Sequence, residues 1–256
     1  ATKKYVCWLK IMHKDGTQDE TVLTADRFLG PYTKVREGLR PLNMSAGDFD
    51  LVVAPDGKAY YMFERVHSET IIADLTDDYT DVTGYYSTHF PHPYPPYVRE
   101  ATAHFMRNGK HYLITSGTTG YLPNPSEVAV ADTWHGPYTV LGNPHPGDET
   151  DTSYHSQISS VFKVPGKKDL YIACADRWLP NAMDKDYHVY KKMFEAIFSG
   201  KKEEFDFSSM GEPVVEETRI ADYVWLPLRF VEPCEEYPNG MVFVDWKDEW
   251  RIEDYE

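Results

Sequence analysis

The sequence has little cysteine. Its three, Cys7, Cys174 and Cys234, are odd in number and far apart, so they suggest neither a disulfide framework nor a metal-ligand spacing. Positive charge is also scarce: 26 Lys and Arg stand against 41 Asp and Glu, a formal net charge of −15, and the sequence pI is about 5.1. Nucleic-acid binding needs a clustered basic face, so that class is set aside. Long apolar runs are missing, since none approaches the roughly 18 residues that span a membrane. The stretch "GTTGYLPN" lacks the Gly-Lys-Ser/Thr ending of a phosphate loop. No initiator Met is present, and Ala1-Thr2-Lys3-Lys4 runs at once into an apolar strand pattern. We therefore expect upstream sequence to be missing. These residues contain no signal-peptide pattern, which leaves the localisation open.

Aromatic residues are plentiful at 14% of the chain, including 19 Tyr, and 18 Pro and 16 Gly are spread along it. That is a β-rich composition with many turns. A chain of 256 residues holds one domain or two small ones with a sizeable core.

A repeat organises these residues. "GDFDLVVAPDGKAYYMFE" (47–64), "REATAHFMRNGKHYLITS" (99–116) and "SQISSVFKVPGKKDLYIACA" (156–175) each read as a strand, a turn ending Gly-Lys and a second strand. That is a β-hairpin signature. A second element follows: "TADRFLGPYTKV" (24–35), "IADLTDDYTDV" (72–82) and "VADTWHGPYTVL" (130–141), marked by Ala25, Ala73 and Ala131. "KKYVCWLKI" (3–11) reads as the second strand of an earlier hairpin, and "NGMVFVDWKDEW" (239–250) as the end of a later one. Residues 187–199 read as a short helix or an irregular insertion. A period near 50 residues built from strands predicts an all-β fold, a β-propeller with about four blades, the first one cut. The whole chain, 1–256, is expected to be a single propeller domain.

Nine residues before the turn glycines Gly57, Gly109 and Gly166 stand Asp48, Glu100 and Gln157. In a propeller that position begins the innermost strand, beside the central channel. A single acid at a strand start often caps a loop or pairs with Arg. Three polar residues at one offset are costly to converge without a partner, and a site for a polar substrate supplies one.

Two carboxylates across a channel suit glycoside hydrolysis, in which an acid protonates the leaving oxygen and a base activates water, roughly 6.5–9.5 Å apart in inverting enzymes. Glu100 is the candidate acid, with the longer reach and the most apolar hairpin behind it. Asp48 would tune it by like-charge repulsion. Gln157 is neither acid nor ordinary base and could hold water or a sugar hydroxyl. Sugar rings also need aromatic faces and polar clamps. Candidates are Asp176, Arg177 and Trp178 in "CADRWLPN", Tyr121 and Asn124 in "TTGYLPN", and Trp225 in "YVWLPLRF". A lone Trp is more often core, and an Arg more often pairs with an acid. His89 and His92 in "STHFPHPYPPY" lack a diagnostic metal spacing.

The order and spacing of "KKYVCW", "GPYTKV", "LTDDYTDVTG", "REATAHFMRNGKHYLITSGTTGYLPN", "SQISSVFKVPGKKDLYIACADRW" and "YVWLPLRF" resemble glycoside hydrolase family 43 over nearly the whole chain. This family is built on five-bladed propellers, and the nearest branch holds the exo-β-1,3-galactanases. The resemblance implies inverting hydrolysis of β-linked galactosides or related plant-type glycans, with Glu100 as acid, Asp48 as tuning residue and Gln157 near the base function. The first-blade Asp base of the family has no counterpart here. Relatives have Glu-Ala-Pro where this chain has Glu100-Ala101-Thr102, and Ser-Arg-Asp where it has Ala46-Gly47-Asp48. Impaired activity, or a non-catalytic carbohydrate-binding propeller, is the alternative that follows, and a propeller used for protein contacts is a third reading. The expected partner is an oligosaccharide or polysaccharide. An open sheet edge would allow self-association with a second copy. No cofactor is implied. A calcium ion is compatible with such a channel, but no ligand set is legible.

Overall fold

The computed structural model describes residues 3–212 and 214–256. They divide into two compact units, Ala1–Pro91 and His92–Glu256.

The first unit holds two sheets. One has three strands in the order β1 (Tyr5–Met12), β2 (Gln18–Ala25), β3 (Thr33–Leu39). The other is a four-stranded meander of β4 (Ala46–Val53), β5 (Ala59–Arg65), β6 (Glu69–Leu75) and β7 (Val82–His89). Every pairing is antiparallel. Trp8 and Val22 of the first sheet pack with Tyr61, Phe63, Ile71 and Leu75 of the second. The Tyr61 and Phe63 rings stack at 4.7 Å.

The second unit repeats this plan with β8 (Arg99–Arg107), β9 (Lys110–Gly117), β10 (Glu127–Ala131) and β11 (Thr139–Gly142) in one sheet. Its other sheet holds β12 (Gln157–Lys163), β13 (Tyr171–Arg177), β14 (Asp222–Val231) and β15 (Met241–Val244). Phe105, Tyr112, Ile114 and Val128 pack against Ile158, Tyr171, Leu226 and Val242 to form a core between the two sheets. The fold is all-β, built from four blade-like sheets. The segment 239–250 supplies β15, which ends an antiparallel hairpin with β14 and closes the fourth sheet.

The hairpins turn where the sequence places Gly. Gly57, Gly109 and Gly166 all have positive φ, at 87°, 77° and 82°, a region only Gly enters without cost. In β8–β9 the turn is the two-residue Asn108-Gly109 type, with φ positive at both positions, as the strand twist prefers.

Residues 187–199 resolve into one helix, α1 (Tyr187–Phe198). Asp186 caps it, its carboxylate accepting from the His188 N–H at 2.8 Å. Tyr190 is 1% exposed, and its hydroxyl donates to the Pro123 carbonyl. The helix thus buttresses the loop that carries Tyr121 and Asn124. Among the described residues no helix is long and apolar enough to cross a membrane.

Candidate functional site

Asp48, Glu100 and Gln157 lie at the beginnings of β4, β8 and β12, the first strands of the three four-stranded sheets. Each stands in or beside a register shift: between Ala46 and Phe49, between Glu100 and Ala103, and between Ile158 and Ser160. Bulges of this kind bend the strand and re-aim its side chains, and they recur next to active sites. Ala101, just after Glu100, has φ +49°, a strained value for a residue with a Cβ.

In the second unit the geometry centres on Gln157. Its amide nitrogen donates to Ser116 Oγ at 2.8 Å, and its carbonyl oxygen accepts from the Trp178 indole N–H at 2.9 Å. Both ends of the amide are therefore oriented, and one N–H and one lone pair remain for a ligand. Ser116 lies on β9 directly opposite Glu100, and Asp176 lies on β13 opposite Gln157. Ser116, Tyr121, Asn124, His155, Gln157, Asp176 and Trp178 line one cavity of about 10 Å³, room for roughly one water molecule. Tyr121 stands edge-on to Trp178, ring centroids 5.8 Å apart.

The segment before β12 is bound tightly. Ser153, Tyr154 and His155 all have positive φ, at 55°, 57° and 56°. The Asp148 carboxylate holds this turn, accepting from the backbone N–H of Thr150, Thr152 and Tyr154. Burial raises its proton affinity, but the Thr150 hydroxyl and these N–H donors outweigh that and hold it below the usual carboxylate range. Arg177 completes the clasp: Nη2 donates to the Tyr154 carbonyl at 3.0 Å and Nε to that of His155 at 3.3 Å. Burial, the largest influence, lowers the basicity of His155; Asp148 opposes this and Arg177 adds to it. His155 Nδ1 is buried with no hydrogen-bond partner among the described residues.

The sequence candidates therefore separate. Gln157, Trp178, Asp176 and Tyr121 line one cavity; Glu100 is not in its lining and stands across the β8–β9 ladder from Ser116, which is. Asn124 lines the same cavity, but its amide is spent on the chain: Oδ1 accepts from Gly117 N at 2.6 Å, and Nδ2 donates to Gly117 O and Thr119 Oγ1. Arg177 anchors the turn by its guanidinium. Trp225 is not part of the cavity. It lines an open groove with Arg177, Tyr223, Trp246 and Trp250.

Asp48 belongs to the first unit. Lys10 Nζ donates to its Oδ1 at 2.5 Å, with the side chains 27% and 36% exposed. The residue before it must be Gly. A Cβ on Gly47 would stand 2.0 Å from Glu64 Oε2, and Glu64 is 2% exposed. Glu20, fully buried, accepts from the Tyr61 hydroxyl at 2.8 Å. Burial pushes its pKa up to about 7, with Tyr61 and Lys10 pulling in the opposite direction. Among the described residues no cluster of three or more His, Cys, Asp or Glu could hold a metal ion.

Sequence reasoning missed Ser116, Lys10, Asp148 and His155. Neither Lys10 nor Ser116 could be read from strand pairing: Lys10 lies in a different sheet from Asp48, and Ser116 is displaced from the simple register. Counting back from the Arg107–Lys110 pair places Gly117 opposite Glu100; the bulge puts Ser116 there instead.

Comparisons with known proteins bear on the family and the fold. The family model described as Glycosyl hydrolases family 43 matches residues 1–191. Among solved structures, a GH43 β-1,3-galactosidase is similar at 25% identity and TM-score 0.72, covering 99% of this chain and 44% of that one. A second GH43 β-1,3-galactosidase, solved with galactodeoxynojirimycin, is similar at 25% identity and TM-score 0.72, covering 98% and 74%. An exo-β-1,3-galactanase from Phanerochaete chrysosporium, solved with β-1,3-galactotriose, shares the fold at 22% identity and TM-score 0.65, covering 89% and 43%. This chain thus spans less than half the length of the first galactosidase and of the fungal galactanase. A search among curated proteins gives no match. The chain, with its four blade-like sheets and polar first-strand positions, belongs to glycosyl hydrolases family 43.

Proposed function

We propose that this chain hydrolyses β-linked galactosides or closely related plant-type glycans with inversion, Glu100 serving as general acid and Gln157 holding water or a sugar hydroxyl. The observation that carries the reading is the fixed amide of Gln157. It is held between Ser116 and Trp178, and the residue that binds it is the cross-strand partner of Glu100. An amide oriented at both ends can position a hydroxyl in one geometry, which lowers the entropic cost of the reactive complex. Trp178 and Tyr121 offer aromatic surface at the same cavity, and Asp176 offers a carboxylate. The galactosidase and galactanase neighbours support the choice of galactose. Asp48 is read as the family's third acidic position.

An amide cannot take a proton from water, so Gln157 supplies position rather than base strength. Turnover is therefore expected to be slow and to rise with an added nucleophile such as azide, which needs no base. The test is a panel of nitrophenyl glycosides and β-1,3-galactan, assayed with and without azide. On β-1,3-galactan, whose leaving sugar oxygen must be protonated, release of galactose that falls by about 10²–10⁴-fold in Glu100→Gln supports a general acid at this position, with far less change on nitrophenyl glycosides; with azide the product to follow is α-galactosyl azide. Saturable binding of galactan fragments with no turnover, with or without azide, selects the non-catalytic carbohydrate-binding reading instead.

A further inference from the structure

We propose that the groove beside β14, lined by Tyr223, Trp225, Trp246 and Trp250, is a second carbohydrate site that takes an internal stretch of a neutral β-galactan chain. The choice of galactose rests on the proposed function; the fit to a neutral sugar chain does not.

The groove is open and holds about 470 Å³, within the range of ligand sites, roughly 300–1,000 Å³. The cavity at Gln157 holds only about 10 Å³. Three of the chain's six Trp line the groove. Tyr223 and Trp225 stand two residues apart on β14, so they face one side of the sheet. Their ring centroids are 6.0 Å apart, with the planes inclined by 57°. Tyr223 is 64% exposed, Trp225 53% and Trp246 47%. Exposed aromatics scattered singly are ordinary, but several around one groove mark a binding surface. An aromatic face is electron-rich, and it complements the C–H groups on the apolar side of a pyranose ring.

These rings are held in place before any ligand arrives. The Trp246 indole N–H donates to the Asp248 carboxylate at 2.9 Å, and that of Trp250 donates to the Trp225 backbone carbonyl at 2.9 Å. Trp250 also packs against the cluster of Val164, Leu170 and Ile172. The segment beyond it is tied back to the β12–β13 turn, where the Lys168 N–H donates to the Glu256 carbonyl at 2.8 Å. Side chains already fixed lose little freedom on binding.

The rim says what kind of ligand fits. Lys247, Asp248, Glu249 and Arg251 line the groove, two of each sign. Arg177 lines it too, but its guanidinium already serves the Tyr154 and His155 carbonyls. A cleft of one sign concentrates counter-ions; this balanced rim offers donors and acceptors to hydroxyl groups without favouring an ion. The location says that the ligand is a chain. Asp176 lines the Gln157 cavity, and its cross-strand partner Tyr223 lines the groove. Cβ atoms of such a pair are about 4.5–5.5 Å apart, so a polymer engaged by one end at the cavity has its following units beside the groove.

The test is fluorine-19 NMR of protein carrying 5-fluorotryptophan, each signal assigned by a Trp→Phe variant. Titration uses β-1,3-galactan fragments of increasing length in Glu100→Gln, so that they are not consumed. The Trp225 and Trp246 signals are expected to shift together and saturably, at lower concentration for longer fragments. Trp225→Ala should weaken the binding read at Trp246 about tenfold, with the melting temperature kept, and Trp225→Tyr should restore most of it. Shifts at Trp225 without Trp178 support the inference and count against the cavity as a sugar site. Shifts confined to Trp178 overturn it and leave the proposed function standing; no shift at either counts against both. Tighter binding of polygalacturonate than of galactan overturns the neutral ligand. Trp225 shifts that follow protein concentration without sugar, with a dimer in sedimentation that Trp225→Ala abolishes, assign the groove to a second copy and also overturn it.

Discussion

At the start of β4 a carboxylate, Asp48, is held by a cation, Lys10. At the start of β12 an amide, Gln157, is held between two neutral groups, a serine hydroxyl and an indole N–H. The two residues share an offset from their turn glycines and a place in their strands, yet their anchors differ in kind. The ion pair is about one-third exposed, so salt and water weaken it. The amide's bonds are directional and nearly indifferent to salt. A repeated fold thus delivers side chains to equivalent positions, while neighbouring strands decide how rigidly each is held and in what charge state.

Three substitutions sharpen the contrast. The largest effect is expected for Gln157→Ala, which removes the link between Trp178 and Ser116 and should lower kcat by about 10²-fold or more, with KM and melting temperature changing far less. Steady-state kinetics on β-1,3-galactan fragments reads this out, and a rise in KM alone would mean that Gln157 only binds.

Next in size is Glu20→Gln in the first unit. Glu20 lies opposite Lys10 on the β1–β2 ladder, and burial pushes its pKa up to about 7 from an ordinary 4.5. Below about pH 4.5 the group is protonated both folded and unfolded and contributes no pH dependence. Between about 4.5 and 7 the unfolded chain releases the proton while the folded chain keeps it, so stability falls as pH rises; above 7 the loss levels off. The Gln variant keeps the Tyr61 hydrogen bond without this cost. Its advantage over wild type should grow from near zero at pH 4.5 to about 3 kcal/mol at pH 8 in urea unfolding. A constant difference across that range would place the titration elsewhere.

The smallest effect is expected for Lys10→Met. The pair, about one-third exposed, contributes under about 1 kcal/mol, so the melting temperature should barely move. Raising salt to 1 M should erase any kinetic difference between wild type and Lys10→Met and leave the Gln157→Ala defect intact.

The hairpins were legible because Gly57, Gly109 and Gly166 punctuate alternating apolar runs and are needed there for positive φ. Ala25, Ala73 and Ala131 fall in β2, β6 and β10 and mark the following strands equally well. The fourth sheet was harder to read. Residues 178–221 separate β13 from β14 and break the period, so the sequence did not show that the β14–β15 hairpin joins the sheet of β12 and β13. The polar starts of β4, β8 and β12 were visible from counting alone, but their anchors were not. Ser116 is displaced by a bulge that no composition signals, and Lys10 meets Asp48 across strands 38 residues apart. Asn124 and Arg177 show the limit from the other side. Their residue types suit sugar binding, and only the hydrogen-bond pattern reveals that the chain itself uses their polar atoms.

The measurement that bears most directly on the account is proton NMR of β-1,3-galactotriose during hydrolysis, followed from the first minutes in wild type and in Glu100→Gln. The account predicts that galactose appears first as the α-anomer in the wild type and that the signal is lost in Glu100→Gln. Release of the β-anomer first, or α-galactose formed as fast by Glu100→Gln as by wild type, would contradict it.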